Sequence, residues 1–280
     1  MTQPTASPPT ILAPIGHAAN ASSILRHPAE KGAWIWHPAY PPERTALLRF
    51  KLSFNVETTC SPLIHVTADQ RYQLTCDGLS VSYGPDRCDL EHWSVQSLQI
   101  DLAPGEHCIE ALVWRIGATV NGSMRGDPSF GGGQRSALPP MAQMTWRGGF
   151  LLFSEDLAGN ILNTGTAAWQ VEDLTPAIEM NCPDIPGYHD VGPSFHFDLN
   201  NWMQKQAVEA ITIYNPVSIN PHGVICPGWR LYPASLPEQV RSDWSGGQIR
   251  AFHTGDQQAP YPEQATRAAQ LGTWQALVDG

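Results

Sequence analysis

Side chains alternate between apolar and polar from Leu63 to Trp114, the period expected of half-buried β-strands. The clearest case is a hairpin in which Arg71–Cys76 and Leu79–Tyr83 flank Asp77-Gly78, a pair that favours a two-residue turn. With such a turn, the expected cross-strand pairs are Cys76 with Leu79, Leu74 with Val81, and Tyr72 with Tyr83. All three pairs lie on one face, so the pattern predicts a sheet with one buried face.

The same alternation predicts further strands on both sides of this hairpin. They are Leu47–Val56, Leu63–Ala68, Val95–Leu102, Cys108–Ile116, Gly149–Asp156, Ile161–Val171 and Ala207–Tyr214. We therefore expect an all-β protein with a jelly-roll-like, galactose-binding-like β-sandwich over residues 21–215. Residues 1–20 are expected to be a flexible leader, and residues 216–280 a proline-rich linker followed by the start of a smaller β-module.

The C-terminal residues also alternate. Thr273–Val278 reads as a strand, and it is followed by Asp279-Gly280, a hairpin turn without a returning strand. Because an unpaired edge strand favours aggregation, we expect this chain to be a piece of a longer protein. The alternative is a frayed terminus with a chance Asp-Gly pair.

Composition and charge exclude several classes of protein. The chain has 280 residues, 42% of them hydrophobic and 15% charged, which is typical of a globular fold. Its formal net charge of −10 disfavours a nucleic-acid partner. No apolar run reaches the roughly 20 residues of a membrane helix. Met1–Pro14 lacks the features of a secretory signal, so we expect a cytoplasmic protein, or a periplasmic or secreted one if export information lies upstream.

The six cysteines show no C-x-x-C pair and no zinc-type spacing with histidine. Without an export signal, disulfides are not expected either. The groupings His189-Asp190 and His196-Phe197-Asp198 also lack the spacing of a metal site. The sequence therefore predicts neither a metal nor another cofactor.

Several short motifs follow one another over residues 34–250. They are Trp34-Ile35-Trp36, Leu48–Phe54, Thr67–Leu74 with Asp77-Gly78, Tyr83-Gly84-Pro85, Leu102–His107, Gly165–Trp169 and Gly228-Trp229-Arg230-Leu231. No motif is specific alone, but their order and spacing resemble the N-terminal β-sandwich of bacterial α-L-rhamnosidases and related six-hairpin glycosidases. Gly228–Leu231 resembles the family's segment that connects the sandwich to the next β-domain. The resemblance implies an accessory region that packs against a downstream catalytic barrel.

Catalysis in that family belongs to the barrel, where an acidic pair acts with inversion and needs two carboxyl groups about 6.5–9.5 Å apart. Nothing in this chain resembles the aspartate-arginine-aspartate-glutamate motif of the barrel. Asn181–Asp184 begins in a similar way, but Ile185-Pro186-Gly187 follows. We therefore expect no catalytic residue within these residues, and a longer parent protein would be a glycoside hydrolase.

Four residues are candidates for contacting a carbohydrate: Trp36, Asp89, His92 and Trp93. Aromatic faces stack on sugar rings, while carboxylates and imidazoles bond hydroxyl groups. For Trp93 the alternative is that it covers the end of its own core. Of Trp34 and Trp36, one is expected in the core and the other is the candidate platform.

Three functions stay open at this point. The leading hypothesis is a non-catalytic accessory region that supports the barrel and contacts a rhamnose-containing glycan. The second is a free-standing carbohydrate-binding module. The third is a structural or interaction domain without a ligand.

Overall fold

The computed structural model describes residues 25–42, 44–89, 91–115, 147–157, 161–181, 194–203, 206–226 and 228–236. The chain divides into two units, Met1–Pro237 and Glu238–Gly280, and every described residue belongs to the first. The predicted leader, the predicted module beyond residue 237 and the Thr273–Val278 strand lie outside the described residues.

The described residues form a β-sandwich, which confirms the all-β prediction. Sheet I contains β1 (Trp34–Trp36), β3 (Leu63–Asp69), β6 (Trp93–Gln99), β8 (Gly149–Phe153), β13 (Ile211–Tyr214) and β16 (Leu231–Pro233), in the order β13-β1-β8-β3-β6-β16. Sheet II contains β2 (Ala46–Val56), β4 (Arg71–Cys76), β5 (Leu79–Gly84), β7 (Gly105–Arg115), β9 (Gln170–Asp173) and β12 (Ala207–Glu209), in the order β12-β9-β2-β7-β4-β5. Pairing is antiparallel except between β16 and β6, which run parallel.

Smaller elements accompany the two sheets. The short hairpins are β10 (Ile178–Asn181) with β11 (Ser194–Phe197), and β14 (Ser218–Asn220) with β15 (Gly223–Ile225). Helix α1 covers Leu199–Met203, and 3-10 helices cover Pro28–Lys31 and Thr175–Ala177.

The main core lies between the sheets and follows the alternation in the sequence. In β2, Leu48, Phe50, Leu52 and Phe54 are all buried, while Arg49 and Lys51 point away from the core and pair with Glu172 and Glu110. The ring of Phe50 stacks on Phe150 of the facing sheet, with centroids 5.0 Å apart. Alternation in β2 thus sets the inner face of sheet II.

The β4–β5 hairpin turns at Asp77-Gly78, where both residues have positive φ angles of 51° and 79°. Cys76 pairs with Leu79 as predicted, but a bulge then shifts the register. Leu74 pairs with Ser82 and Tyr72 with Gly84, so the two predicted pairs with Val81 and Tyr83 are wrong. A Cβ at Gly84 would lie 2.9 Å from Tyr72 Oη, so the shift places the buried tyrosine against the residue that leaves it room.

A histidine joins this turn to the one before β7. The ring nitrogens of His107 lie 2.7 Å from Asp77 Oδ2 and 2.7 Å from the Ala103 carbonyl oxygen. Burial opposes the charge on the ring, but the bonds to Ala103 and Asp77 outweigh it and raise the pKa of His107. Since both neighbours are acceptors, the doubly protonated imidazolium satisfies both.

The central strands of sheet I are buried on both faces, which the sequence pattern did not predict. All five residues of β8 are buried, and so are Ile64–Asp69 of β3. The outer face is covered by the 3-10 helix Pro28–Lys31 and by residues 228–234, whose strand β16 pairs with β6. Residues 228–234 are therefore part of the sandwich rather than of the predicted linker.

Candidate functional site

The outer face of sheet I carries a second apolar core, here called the outer cluster. Its buried members are Ala29, Trp34, Trp93, Val95, Leu151, Phe153, Trp229 and Leu231. Trp229 lies at its centre: its ring stacks on Trp34 at a centroid distance of 4.0 Å and meets Trp93 edge-on at 5.9 Å. The outer cluster therefore joins four segments that are far apart in sequence.

Polar atoms of β3 bond the indole groups of this cluster. Trp93 Nε1 donates to Thr67 Oγ1 at 3.0 Å, and Trp229 Nε1 donates to Asp69 Oδ2 at 3.0 Å. Thr67 and Asp69 both have a relative exposure of 0%. A buried indole N–H needs such a partner, so these two residues fix the orientation of both rings.

Glu30 ties the two covering segments together. Its side chain is fully buried and accepts hydrogen bonds from Arg230 Nε at 3.0 Å and from the backbone N–H groups of Leu231 and Arg26 at 3.2 and 3.0 Å. A buried carboxylate is tolerated when it is paired and hydrogen-bonded in this way. Residues 26–30 and 230–231 are thereby held as one layer.

A polar surface lies beside this layer, here called the Tyr232 surface: Arg26, Asp89, Glu91, His92 and Tyr232. The Arg26 guanidinium lies over the half-buried Tyr232 ring, 5.1 Å from its centroid, and the His92 ring lies 4.8 Å from the same centroid. Arg26, Asp89, Glu91 and His92 are exposed. The surface thus combines an aromatic ring with a guanidinium, an imidazole and carboxylates.

Asp89 organises the loop on this surface. Its Oδ1 accepts hydrogen bonds from the backbone N–H groups of Glu91 and His92 at 2.9 and 2.8 Å, and lies 3.1 Å from His92 Nδ1. Slight burial opposes ionisation, but the bonds from His92 and Glu91 outweigh it and lower the pKa of Asp89. Asp89 is therefore a carboxylate at neutral pH and accepts hydrogen bonds from hydroxyl groups.

The structure separates the four predicted sugar-contacting residues into two pairs. Trp36 and Trp93 both have a relative exposure of 0%, so neither ring presents a face to a ligand, and Trp34 is also in a core. Gly148 lies against the Trp36 ring and leaves no room for a Cβ there. Asp89 and His92 lie together at the surface, and their contact with sugar stays a prediction.

Sequence reasoning missed Arg26 and Tyr232. Tyr232 belongs to the three-residue strand β16, which is flanked by irregular residues and pairs with a strand more than a hundred positions earlier. The local sign of strand β16 in the sequence is the pair Leu231-Tyr232, which lies within the predicted linker.

A cleft lies at the edge of the outer cluster, lined by Glu30, Trp34, Asn215 and Trp229 among others. Its volume is about 220 Å³, including open solvent at its mouth. Since that figure counts open solvent, the enclosed space is far smaller than the about 300–1,000 Å³ of a small-molecule pocket, and it is too small for a sugar ring. The exposed Tyr232 surface is the better candidate.

Thiols and metal-binding side chains are the other groups that could carry chemistry in the described residues. The five cysteines of the described part, which excludes Cys182, are unpaired thiols. Burial raises the pKa values of Cys76 and Cys88 to about 12, so neither is a ready nucleophile. The described ranges contain no group of three or more His, Cys, Asp or Glu side chains that could hold a metal ion. No helix among them is long and apolar enough to cross a membrane.

No protein-family model and no curated protein sequence matches the chain. Among solved structures, a GH78 family rhamnosidase of Bacillus sp. GL1 aligns with 21% identity and a TM-score of 0.48, over 74% of this chain and 20% of the enzyme. The α-L-rhamnosidase of Aspergillus terreus aligns with 11% identity and a TM-score of 0.37, over 67% and 22%. The lectin of Pleurotus ostreatus aligns with 12% identity and a TM-score of 0.34, over 70% and 45%. The chain spans about a fifth of either enzyme, and likenesses at these scores do not assign it to a family.

Proposed function

We propose that this chain is a non-catalytic accessory β-sandwich of a glycoside hydrolase similar to the α-L-rhamnosidases. The observation that carries the proposal is the way Gly228–Leu231 is fixed in the sandwich. These residues resemble the family segment that leads to the next domain. A supporting region must hold that segment rigidly, because a flexible linker transmits no orientation.

Three kinds of interaction fix the segment. Backbone pairing joins Leu231–Pro233 to Trp93–Val95, the Trp229 ring is buried in the outer cluster, and Arg230 pairs with the buried Glu30. Each alone would restrain one group, while together they restrain backbone and side chains over consecutive residues. Residues 228–234 are therefore held in a defined position on the sandwich.

We propose further that the Tyr232 surface contacts a rhamnose-containing glycan, the feature that a free-standing carbohydrate-binding module would share. Sugar sites combine an aromatic ring with a few hydrogen-bonding groups. Arg26 supplies donors and Asp89 supplies acceptors beside Tyr232, at exposed positions that a glycan can reach.

Two experiments test these proposals separately. The purified chain, incubated with an aryl α-L-rhamnoside, is expected to give no release above buffer, and turnover well above that level would contradict a non-catalytic role. Addition of the chain to a rhamnosidase barrel that lacks its own accessory region is expected to raise the yield of active enzyme. The same addition with Arg230→Ala, which loses the Glu30 pair, is expected to raise it less.

Glycan contact is measured by calorimetry with a rhamnose-containing oligosaccharide. Tyr232→Ala and Asp89→Ala are expected to abolish the binding heat. Tyr83→Ala is the matched control, since Tyr83 is also half-buried but lies on β5 of the other sheet. Equal binding by Tyr232→Ala and Tyr83→Ala would refute the glycan contact and leave the supporting role standing.

A further inference from the structure

Two histidines of this chain stand in the same tripeptide, His-Pro-Ala, at residues 27–29 and 37–39. In each copy the histidine Nδ1 accepts a hydrogen bond from the backbone N–H of the alanine, at 3.1 Å for His27 and 3.2 Å for His37. A backbone N–H can only donate, so the bond exists only while Nδ1 carries no proton.

The two copies differ in burial. His27 has a relative exposure of 1%, and its ring packs edge-on against the equally buried His65, with centroids 4.8 Å apart. His37 is partly exposed, and its bond to Ala39 lies at the surface. If His37 loses that bond, water can replace it, whereas water has almost no access to the buried His27 ring.

His27 is also the N-cap residue of the 3-10 helix Pro28–Lys31, with extended φ and ψ angles of −146° and 143°. Serine, threonine, aspartate and asparagine usually fill this position, and their acceptors do not titrate near neutral pH. An imidazole is the one acceptor that does. We propose that His27 is a pH-sensitive cap that holds residues 25–33 over the outer cluster at neutral pH and releases them in mildly acidic solution.

The chemistry of release follows from the donor and acceptor count. Protonation turns Nδ1 into a donor that faces the Ala29 N–H, and it places a positive charge in a buried site. Two effects therefore act together, the loss of the cap bond and the desolvation of the imidazolium. The next two residues in the chain, Ala29 and Glu30, hold the segment on the outer cluster and on Arg230, so loss of the cap weakens these contacts too.

Among the described residues, the charged and titratable groups of this region come from four parts of the fold. The segment itself carries Arg26, Glu30 and Lys31, β3 contributes His65, Glu155 follows β8, and Arg230 precedes β16. Glu30 pairs with Arg230, and Glu155 pairs with Lys31. Both carboxylates thus already face a cation.

Amide hydrogen exchange read by NMR tests the cap on the full chain. Between about pH 7.5 and about pH 5.5, the protection of the Ala29, Glu30 and Gly32 amides, corrected for the intrinsic pH dependence of exchange, is expected to fall at least about fivefold, the equivalent of one lost cap. His27→Asn, which keeps an acceptor that does not titrate, is expected to show no such fall. His37→Asn is the matched control, and it should show the same fall as the unmodified chain.

Constant protection in the unmodified chain, or an equal fall in His27→Asn, would overturn the proposal. A second measurement does not depend on any variant folding. The ¹⁵N shifts of the His27 ring are expected to show an unprotonated Nδ1 at about pH 7.5, and a protonated Nδ1 there would overturn the proposal as well.

Discussion

Replacement of Trp229 by alanine tests whether the outer cluster holds the second face of sheet I. Trp229 has a relative exposure of 2%, stacks on Trp34 and donates its indole N–H to the buried Asp69. Removal of a buried tryptophan side chain costs about 3–5 kcal/mol. Asp69 loses a hydrogen-bond donor in the same step, which adds about 1–3 kcal/mol. We expect Trp229→Ala to lower the free energy of unfolding by roughly 4–8 kcal/mol, a large part of the 5–15 kcal/mol typical of a domain.

Two variants separate the contributions. Trp229→Phe keeps an aromatic ring in the stack but removes the bond to Asp69, so it is expected to cost about 1–3 kcal/mol. Trp202→Ala is the control for loss of a tryptophan: that ring is half-buried on α1 and meets the Arg49 guanidinium at 4.9 Å. A contact of this kind is worth about 0.5–1 kcal/mol at an exposed site.

The measurement is urea denaturation followed by far-UV circular dichroism, because tryptophan fluorescence would change with each substitution itself. Equal slopes of the unfolding free energy against urea are required for the comparison. If Trp229→Ala lies within about 1 kcal/mol of Trp202→Ala, then residues 228–234 are not an integral layer of the sandwich, and the argument for an anchored exit segment is lost with it.

Three further predictions rest on single contacts. Gly84→Ala places a Cβ 2.9 Å from Tyr72 Oη and is expected to cost about 1–3 kcal/mol in urea denaturation; a neutral result would contradict the bulged register. Since the pKa of His107 is raised in the fold, the loss of stability in His107→Gln is expected to be greatest below about pH 6.5 and to vanish as pH rises through the folded pKa. In an Asp77→Asn background this pH dependence is expected to flatten. If the loss of stability does not change with pH, the raised pKa of His107 is refuted. With its pKa raised to about 12, Cys76 is expected to react with iodoacetamide at about pH 8 at least about a hundredfold more slowly than in urea, and comparable rates would contradict its burial.

Local alternation was enough to predict the centre of sheet II but not β9, since Ile161–Val171 was predicted as a strand and only Gln170 and Val171 of it belong to one. β2 and its buried face were predicted to within one residue, because its neighbours β7 and β9 leave the outer side chains in solvent. The Asp77-Gly78 turn was readable for a similar reason, since its two positive φ angles demand those residue types. The bulge that follows two residue pairs beyond this turn could not be predicted, because it depends on the fit of Tyr72 against Gly84 across the hairpin.

Sheet I was predicted less well, because its second face is buried by segments remote in sequence. Trp93 lay outside the predicted strand Val95–Leu102, yet it opens β6 and belongs to the outer cluster. The predicted strand Ala207–Tyr214 is in fact two strands in different sheets, which part at Ala210, whose N–H bonds the Trp169 carbonyl. Asp89 and His92 were predicted because they lie three positions apart in the sequence, whereas Tyr232 is brought beside His92 only by the β16–β6 pairing.

His27 and His107 respond to acid in opposite directions, so the global stability of the chain reports on neither of them alone. Protonation breaks the bond from Ala29 to His27, whereas it completes the two bonds that His107 makes. Over the same pH range one end of the sandwich is therefore weakened while the other is strengthened, and the two contributions offset each other in the global free energy of unfolding. A melting temperature that hardly changes with pH is thus compatible with a release of residues 25–33, and only a residue-resolved measurement distinguishes release from inertness. The double variant His27→Asn with His107→Gln removes both responses, so its Ala29, Glu30 and Gly32 amides should keep their protection in acid. If its Gly32 amide still loses protection in acid, the release originates elsewhere in the covering layer.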